Sequence, residues 1–254
     1  MNAARWKFAV FALVVLGVPG GLMALDDPRI GDLGKLALIL SPAVAGLLLN
    51  RGLGERGQAR WSGVPLAAGV TLAVAGLALA VAFMTGVAAF GTPPAAPQGI
   101  AQSVGAVALT SVLEELGWAG GGVALATAAF GRRAGIPVLG LIWAAWHLIP
   151  AFLKVGLFPE LETAPPAMLL AFVASCVVYR LLLTHLQLRA GTWWAAAAGH
   201  GLPNMALAAA LAAGVGTFDL SAGWWWFPAP GGLAFPAFAM IALLLLRRTA
   251  PRAA

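Results

Sequence analysis

The stretch Val64–Phe90, VPLAAGVTLAVAGLALAVAFMTGVAAF, runs its whole length without one charged side chain. A helix needs roughly 20 apolar residues to cross the hydrocarbon core of a bilayer, with about 17 as the lower limit. This run exceeds that length, and the rest of the chain has the same character. Of its 254 residues, 61% are hydrophobic and only 9% are charged, with a mean hydropathy of +0.91. A soluble domain carries roughly 25% charged residues. A water-soluble fold is therefore excluded, as is a disordered chain, which requires low hydrophobicity and high charge. The apolar runs are continuous rather than alternating, which excludes a membrane β-barrel.

Seven further stretches qualify or nearly so: 6–25, 33–50, 100–129, 136–153, 166–188, 191–213 and 231–247. The expected fold is all-α, a bundle of about eight transmembrane helices in a single polytopic membrane domain over residues 1–254. Pro, Gly and charged clusters such as Asp26-Asp27-Pro28, Thr92-Pro93-Pro94 and Gly131-Arg132-Arg133 mark the connections. Arg5 and Lys7 precede an apolar core, as in a signal peptide, but no small-x-small cleavage site follows near Leu25, so an uncleaved anchor is expected.

Basic residues set the expected orientation. Arg5, Lys7, Arg51, Arg56, Arg60, Arg132, Arg133, Arg189, Arg247, Arg248 and Arg252 fall on one side of the bundle, whereas Arg29, Lys35 and Lys154 fall on the other. This bias predicts both termini in the cytoplasm. It also accounts for the pI of about 10.7 without nucleic acid, which is not expected as a partner. Trp224, Trp225 and Trp226 read as an outer interfacial belt. The single cysteine, Cys176, excludes an intramolecular disulfide.

An ionisable side chain at bilayer depth is expensive and is a functional candidate by default. Glu114 and Glu115 lie in the fourth span, His147 in the fifth, Arg180 and His185 in the sixth, and His200 in the seventh, with Asn204 one helical turn beyond. At ~1.5 Å of rise per residue, Glu114 sits roughly 20 Å from either end of its span. His147 and His200 sit about 16 and 14 Å from their inner ends. Three helices therefore bring polar groups to one level, while His185 lies near the inner interface and reads as a packing residue.

These residue types suit hydrolysis by activated water. A carboxylate in a dry pocket becomes a stronger base and can take a proton from water, with a histidine orienting that water or sharing the proton. A second histidine and an asparagine can donate to an oxyanion developing on a carbonyl. Neither Ser111 nor Cys176 has an evident activating partner. Two other readings remain open on the residues alone. Glu114, His147 and His200 could form a two-histidine, one-carboxylate zinc centre, or the polar cluster could serve folding only. No inverted repeat or transmembrane polar path supports a transporter.

Three of these segments resemble the CPBP intramembrane proteases, which include the CAAX prenyl endopeptidases and the Abi proteins linked to bacteriocin immunity. The family pattern is Glu-Glu-x-x-x-Arg, then aromatic-x-x-x-His, then His-x-x-x-Asn or Asp. This chain has Glu114-Glu115-Leu116-Gly117-Trp118-Ala119, Trp143-Ala144-Ala145-Trp146-His147 and His200-Gly201-Leu202-Pro203-Asn204. Leu188–Trp194, LRAGTWW, is similar to the stretch that leads into the last motif. The likeness covers about residues 100–210. It implies an eight-helix membrane endopeptidase in which Glu114 activates water, His147 shares that task, His200 and Asn204 form the oxyanion hole, and Glu115 is a supporting acid. No cofactor is implied.

Ala119 stands where the family has arginine, so Glu115 lacks its expected helical partner. Arg180 falls at a similar depth and is expected to supply the missing guanidinium to Glu115; its alternative is to snorkel toward the headgroups. Loss of the motif arginine also fits a catalytically silent scaffold or immunity protein. The expected partners are membrane lipids and a peptide or membrane-protein substrate. The Ala-, Gly- and Arg-rich composition points to a GC-rich bacterial genome, and the expected location is the bacterial cytoplasmic membrane.

Overall fold

A computed structural model describes residues 2–25, 27–50, 59–91, 97–219, 223–227 and 229–248. Asp26, Arg51, Arg56, Arg252 and the turn at 92–94 lie outside the described residues. The fold is all-α around long apolar helices: α1 (Ala3–Met23), α2 (Pro28–Leu49), α3 (Gly63–Met84), α4 (Pro97–Gly117), α5 (Val123–Phe152), a short α6 (Pro159–Glu162), α7 (Pro166–Ala190), α8 (Trp194–Ala212) and α9 (Ala234–Arg248). Among the described residues, five continuous helical stretches are long and apolar enough to cross a membrane: α1, α2, α3, α7 and Gln98–Phe152.

Local chemistry sets the ends. Asn2 Oδ1 accepts the Arg5 amide at 2.9 Å, and Asp27 Oδ1 accepts the Arg29 amide at 2.8 Å with Pro28 following at the first helical position. Gly191 closes α7 in the left-handed conformation, φ 70°.

The Gln98–Phe152 stretch is two apolar segments. Gly131 interrupts it with φ 72° and ψ 160°, a conformation outside the helical region, and the chain doubles back. Glu114 then meets Trp143, and a Cβ on Gly135 would run into the backbone of Ala126, so the two arms are antiparallel. The expected fourth and fifth spans are these arms. Between α4 and α5 lies one π-helical segment, Trp118–Gly122. Its displaced carbonyls take donors from elsewhere: Gln187 Nε2 donates to Ala119 O at 2.8 Å and Asn50 Nδ2 to Gly120 O at 3.4 Å.

Small residues let backbones touch. A Cβ on Gly117 would fall on the Pro42 and Ala43 backbone, and one on Gly121 would fall on Gly46. Such backbone-to-backbone packing is the usual means of association for apolar helices. These contacts ascend together, so α2 and α4 are parallel. The pairs Glu115–Arg180 and Ala119–Gln187 make α4 and α7 parallel as well. Phe11 against Trp118 and Arg5 against Ala129 run α1 the opposite way.

Two expected boundaries differ. The third apolar run stops being helical at Met84; Gly86 turns the chain at φ 76°, and Ala88–Phe90 forms β1, paired antiparallel with β2 (Val215–Phe218). Apolar composition does not distinguish a helix end from a short strand. The last helix has only 15 residues, about 22 Å long. The tryptophan run forms a 3₁₀ turn with Trp225 and Trp226 exposed.

Candidate active site

α4 presents Glu114 and Glu115 on adjacent positions, and both are buried. Two adjacent acids cannot share one environment without repulsion, and the fold gives each a different set of neighbours. Glu115, with no exposure, is gripped by a fully buried Arg180: Nη1 donates to Oε2 at 2.7 Å and Nη2 to Oε1 at 2.8 Å. This two-pronged geometry is the strongest form of carboxylate recognition. The guanidinium carbon also lies 4.3 Å from the centre of the Trp143 ring, within cation–π range. Arg180 therefore does not snorkel. It sits where the arginine absent at position 119 would be needed, while Ala119 is buried in the π turn with its carbonyl bound to Gln187.

Glu115 has a second neighbour. His200 Nδ1 lies 3.0 Å from Oε1, a charge-pair distance without the alignment of a hydrogen bond. α8 is held in place beside it because the Tyr179 hydroxyl donates to Gly199 O at 2.6 Å.

Glu114 faces differently. Trp143 Nε1 donates to its Oε2 at 3.3 Å, and the rest of the carboxyl borders a cavity of about 960 Å³. His147, His200 and Asn204 line the same cavity, so the four polar groups expected on three helices, Glu114 included, share one chamber. His147 Nδ1 is 2.9 Å from Trp143 O. A carbonyl can only accept, so Nδ1 carries the hydrogen, and in the neutral ring Nε2 keeps its lone pair. The imidazole is packed among Trp143, Trp146, Phe158 and Phe172, with ring centres 4.7 to 5.5 Å away.

Trp143 is the residue that sequence reasoning left without a role. It touches Glu114 through its indole N–H, Arg180 through its ring face, and both histidines edge-on, with ring centres 5.5 and 5.2 Å away. Its place four residues before His147 is the only hint the chain offers. Tyr179 and Gln187 had no such hint. Ser111 and Cys176 line the cavity. His185 does not line it. Among the described residues, no group of three or more His, Cys, Asp and Glu side chains is arranged to hold a metal ion.

Residues 96–206 match the family model of type II CAAX prenyl endopeptidase Rce1-like proteins. The matched stretch runs from the start of α4 into α8 and contains every residue of the site described above. No curated protein matches the chain. The three motifs that carry the resemblance all fall within this matched segment. With its long apolar helices, the chain is an integral membrane protein, and its central segment is similar to a protease family.

Proposed function

We propose that this protein is an intramembrane endopeptidase that hydrolyses a peptide bond with water activated by Glu114. The observation that carries this reading is the division of labour between adjacent acids. Glu115 is consumed by Arg180, whereas Glu114 borders the cavity with a single indole donor. Glu114 takes the proton as water attacks the carbonyl, and His147, with Nδ1 tied to Trp143 O, accepts through Nε2 and shares that proton. The peptide bond breaks as the departing nitrogen is protonated by the same pair. His200 and Asn204 line the same cavity and are the groups that would donate to the oxyanion.

The silent-scaffold alternative rested on the loss of arginine at position 119, and Arg180 gives Glu115 a partner instead. The alternating helix directions and the placement of basic residues support an eight-pass bundle with both termini in the cytoplasm of a bacterial cell. The reading is tested with purified protein in lipid nanodiscs and an apolar peptide mixture. Cleavage that survives a strong zinc chelator and disappears in Glu114→Gln supports it. Cleavage abolished by chelation and restored by zinc would replace it with a metal mechanism.

A further inference from the structure

At the end of the bundle where α7 finishes, cationic side chains from three helices collect around His185. Gly140 of α5 faces Val177 and Arg180, and His147 faces Phe172, so the arm that follows Gly131 begins beside the end of α7. Tyr179 meets Phe235 near the start of α9, and the charge of Arg247 acts on His185 near its end, so α9 runs parallel to α7. The charges of Arg132 and Arg189 act on the same imidazole.

Two nitrogens of this cluster have nothing to bond. Arg189 Nη1 and His185 Nε2 are both shut away from solvent, and among the described residues neither has a hydrogen-bond partner. Buried polar atoms are normally satisfied, and leaving one unpaired is costly, most of all on a charged group. Both side chains as a whole are only half-buried. A change of rotamer can therefore turn each orphaned nitrogen toward the surface, where Arg132 and Arg247 stand exposed, without giving up a hydrogen bond.

Helix ends do not absorb this much charge. The C-termini of α7 and α9 each carry roughly half a negative charge, and the start of the arm after Gly131 carries about half a positive one. Three guanidiniums leave an excess of roughly two positive charges over that sum. Among the described residues, the carboxylates lie at mid-bundle or toward the opposite end. Guanidinium forks with an added imidazole nitrogen suit the tetrahedral oxygens of phosphate. Next to these cations in the chain, Phe130, Leu188 and Leu245 are exposed apolar side chains, against which acyl chains would lie.

We propose that Arg132, His185, Arg189 and Arg247 form a binding site for one phosphate group, carried on an anionic phospholipid headgroup or free in solution. None of the four lines the cavity at Glu114, so binding there does not depend on proteolysis.

The test uses the full chain in maltoside detergent, with dioleoyl phosphatidylglycerol, dioleoyl phosphatidylcholine and inorganic phosphate as probes. Native mass spectrometry reads bound lipid, and thermal unfolding reads phosphate. Phosphatidylglycerol should bind about tenfold or more tightly than phosphatidylcholine, whose choline cation opposes the guanidiniums. Arg189→Gln and Arg247→Gln should each remove most of that preference. Arg133→Gln, which deletes an exposed charge on the neighbouring turn, should change binding by less than about threefold. Stabilisation by inorganic phosphate that Arg189→Gln abolishes assigns the site to free phosphate, and a lipid preference without it assigns the site to a headgroup; either result supports the proposal. Absence of both effects overturns it. Equal losses in Arg133→Gln and the cluster variants also overturn it, because they would reduce the cluster to diffuse surface charge. If Arg189→Gln does not fold, Arg247→Gln, altered at an exposed position, decides between these outcomes.

Discussion

Arg180 reaches from α7 to grip both carboxylate oxygens of Glu115 on α4, at 2.7 and 2.8 Å, with both side chains at zero exposure. The two residues are 65 positions apart, whereas the motif they complete elsewhere places its arginine one helical turn away. The same pair fixes His200 Nδ1 at 3.0 Å from the carboxylate and lays the guanidinium over Trp143. One ion pair thus joins α4, α5, α7 and α8 at the level of the site.

Removing one partner of this pair should be costly. Arg180→Ala leaves Glu115 as an uncompensated buried charge and should lower stability by about 3–5 kcal/mol. Arg180→Met combined with Glu115→Gln should lose much less, since no unpaired charge remains. Thermal denaturation of the single and double variants in detergent checks this; equal losses would show that the pair is incidental.

The guanidinium should also be movable. In an Arg180→Ala background, Ala119→Arg places an arginine four residues after Glu115, the spacing at which helical side chains meet. The double variant should recover part of the stability and of the peptide cleavage lost in Arg180→Ala. Ala119→Arg alone should destabilise, because position 119 is 2% exposed and closely packed. Thermal melts and mass-spectrometric cleavage assays on all three variants read this out.

Glu114→Gln keeps the shape of the side chain and removes its basicity. Cleavage should fall by about 10²–10⁴-fold, the range associated with loss of a general base, while the thermal midpoint shifts little. A variant that retains cleavage would place the base elsewhere.

Trp143→Phe keeps a ring under Arg180 but deletes the N–H that meets Glu114 at 3.3 Å. The lost hydrogen bond should cost about 1 kcal/mol of stability. Cleavage should fall more than binding, because the mispositioned group is the base. Comparing kcat with KM separates the two effects.

Gly121→Leu should disrupt the bundle without touching the cavity. A Cβ at this position already falls on the Gly46 backbone, so a larger side chain forces α2 from α4 at a cost of about 1–3 kcal/mol. The loss should appear in thermal unfolding, and failure to see one would refute the close approach of the two backbones.

The order of residues along the chain determined the membrane character, the apolar segments and the level at which Glu114, His147 and His200 lie. Each follows from composition and from the constant rise of a helix, quantities that are local. The motif spacing likewise made Trp143 visible one turn before His147. Only the packed structure decided that Arg180 faces Glu115, that Gln187 serves the π turn at Ala119, and that Glu160 borders the cavity. It also decided that Ala88–Phe90 pairs as a strand with Val215–Phe218. The physical reason for the helical contacts is one and the same. Periodicity fixes a residue's height and the face it occupies on its own helix, but the rotation of one helix against another is set by backbone contacts such as Gly121 on Gly46, which join positions far apart in the chain.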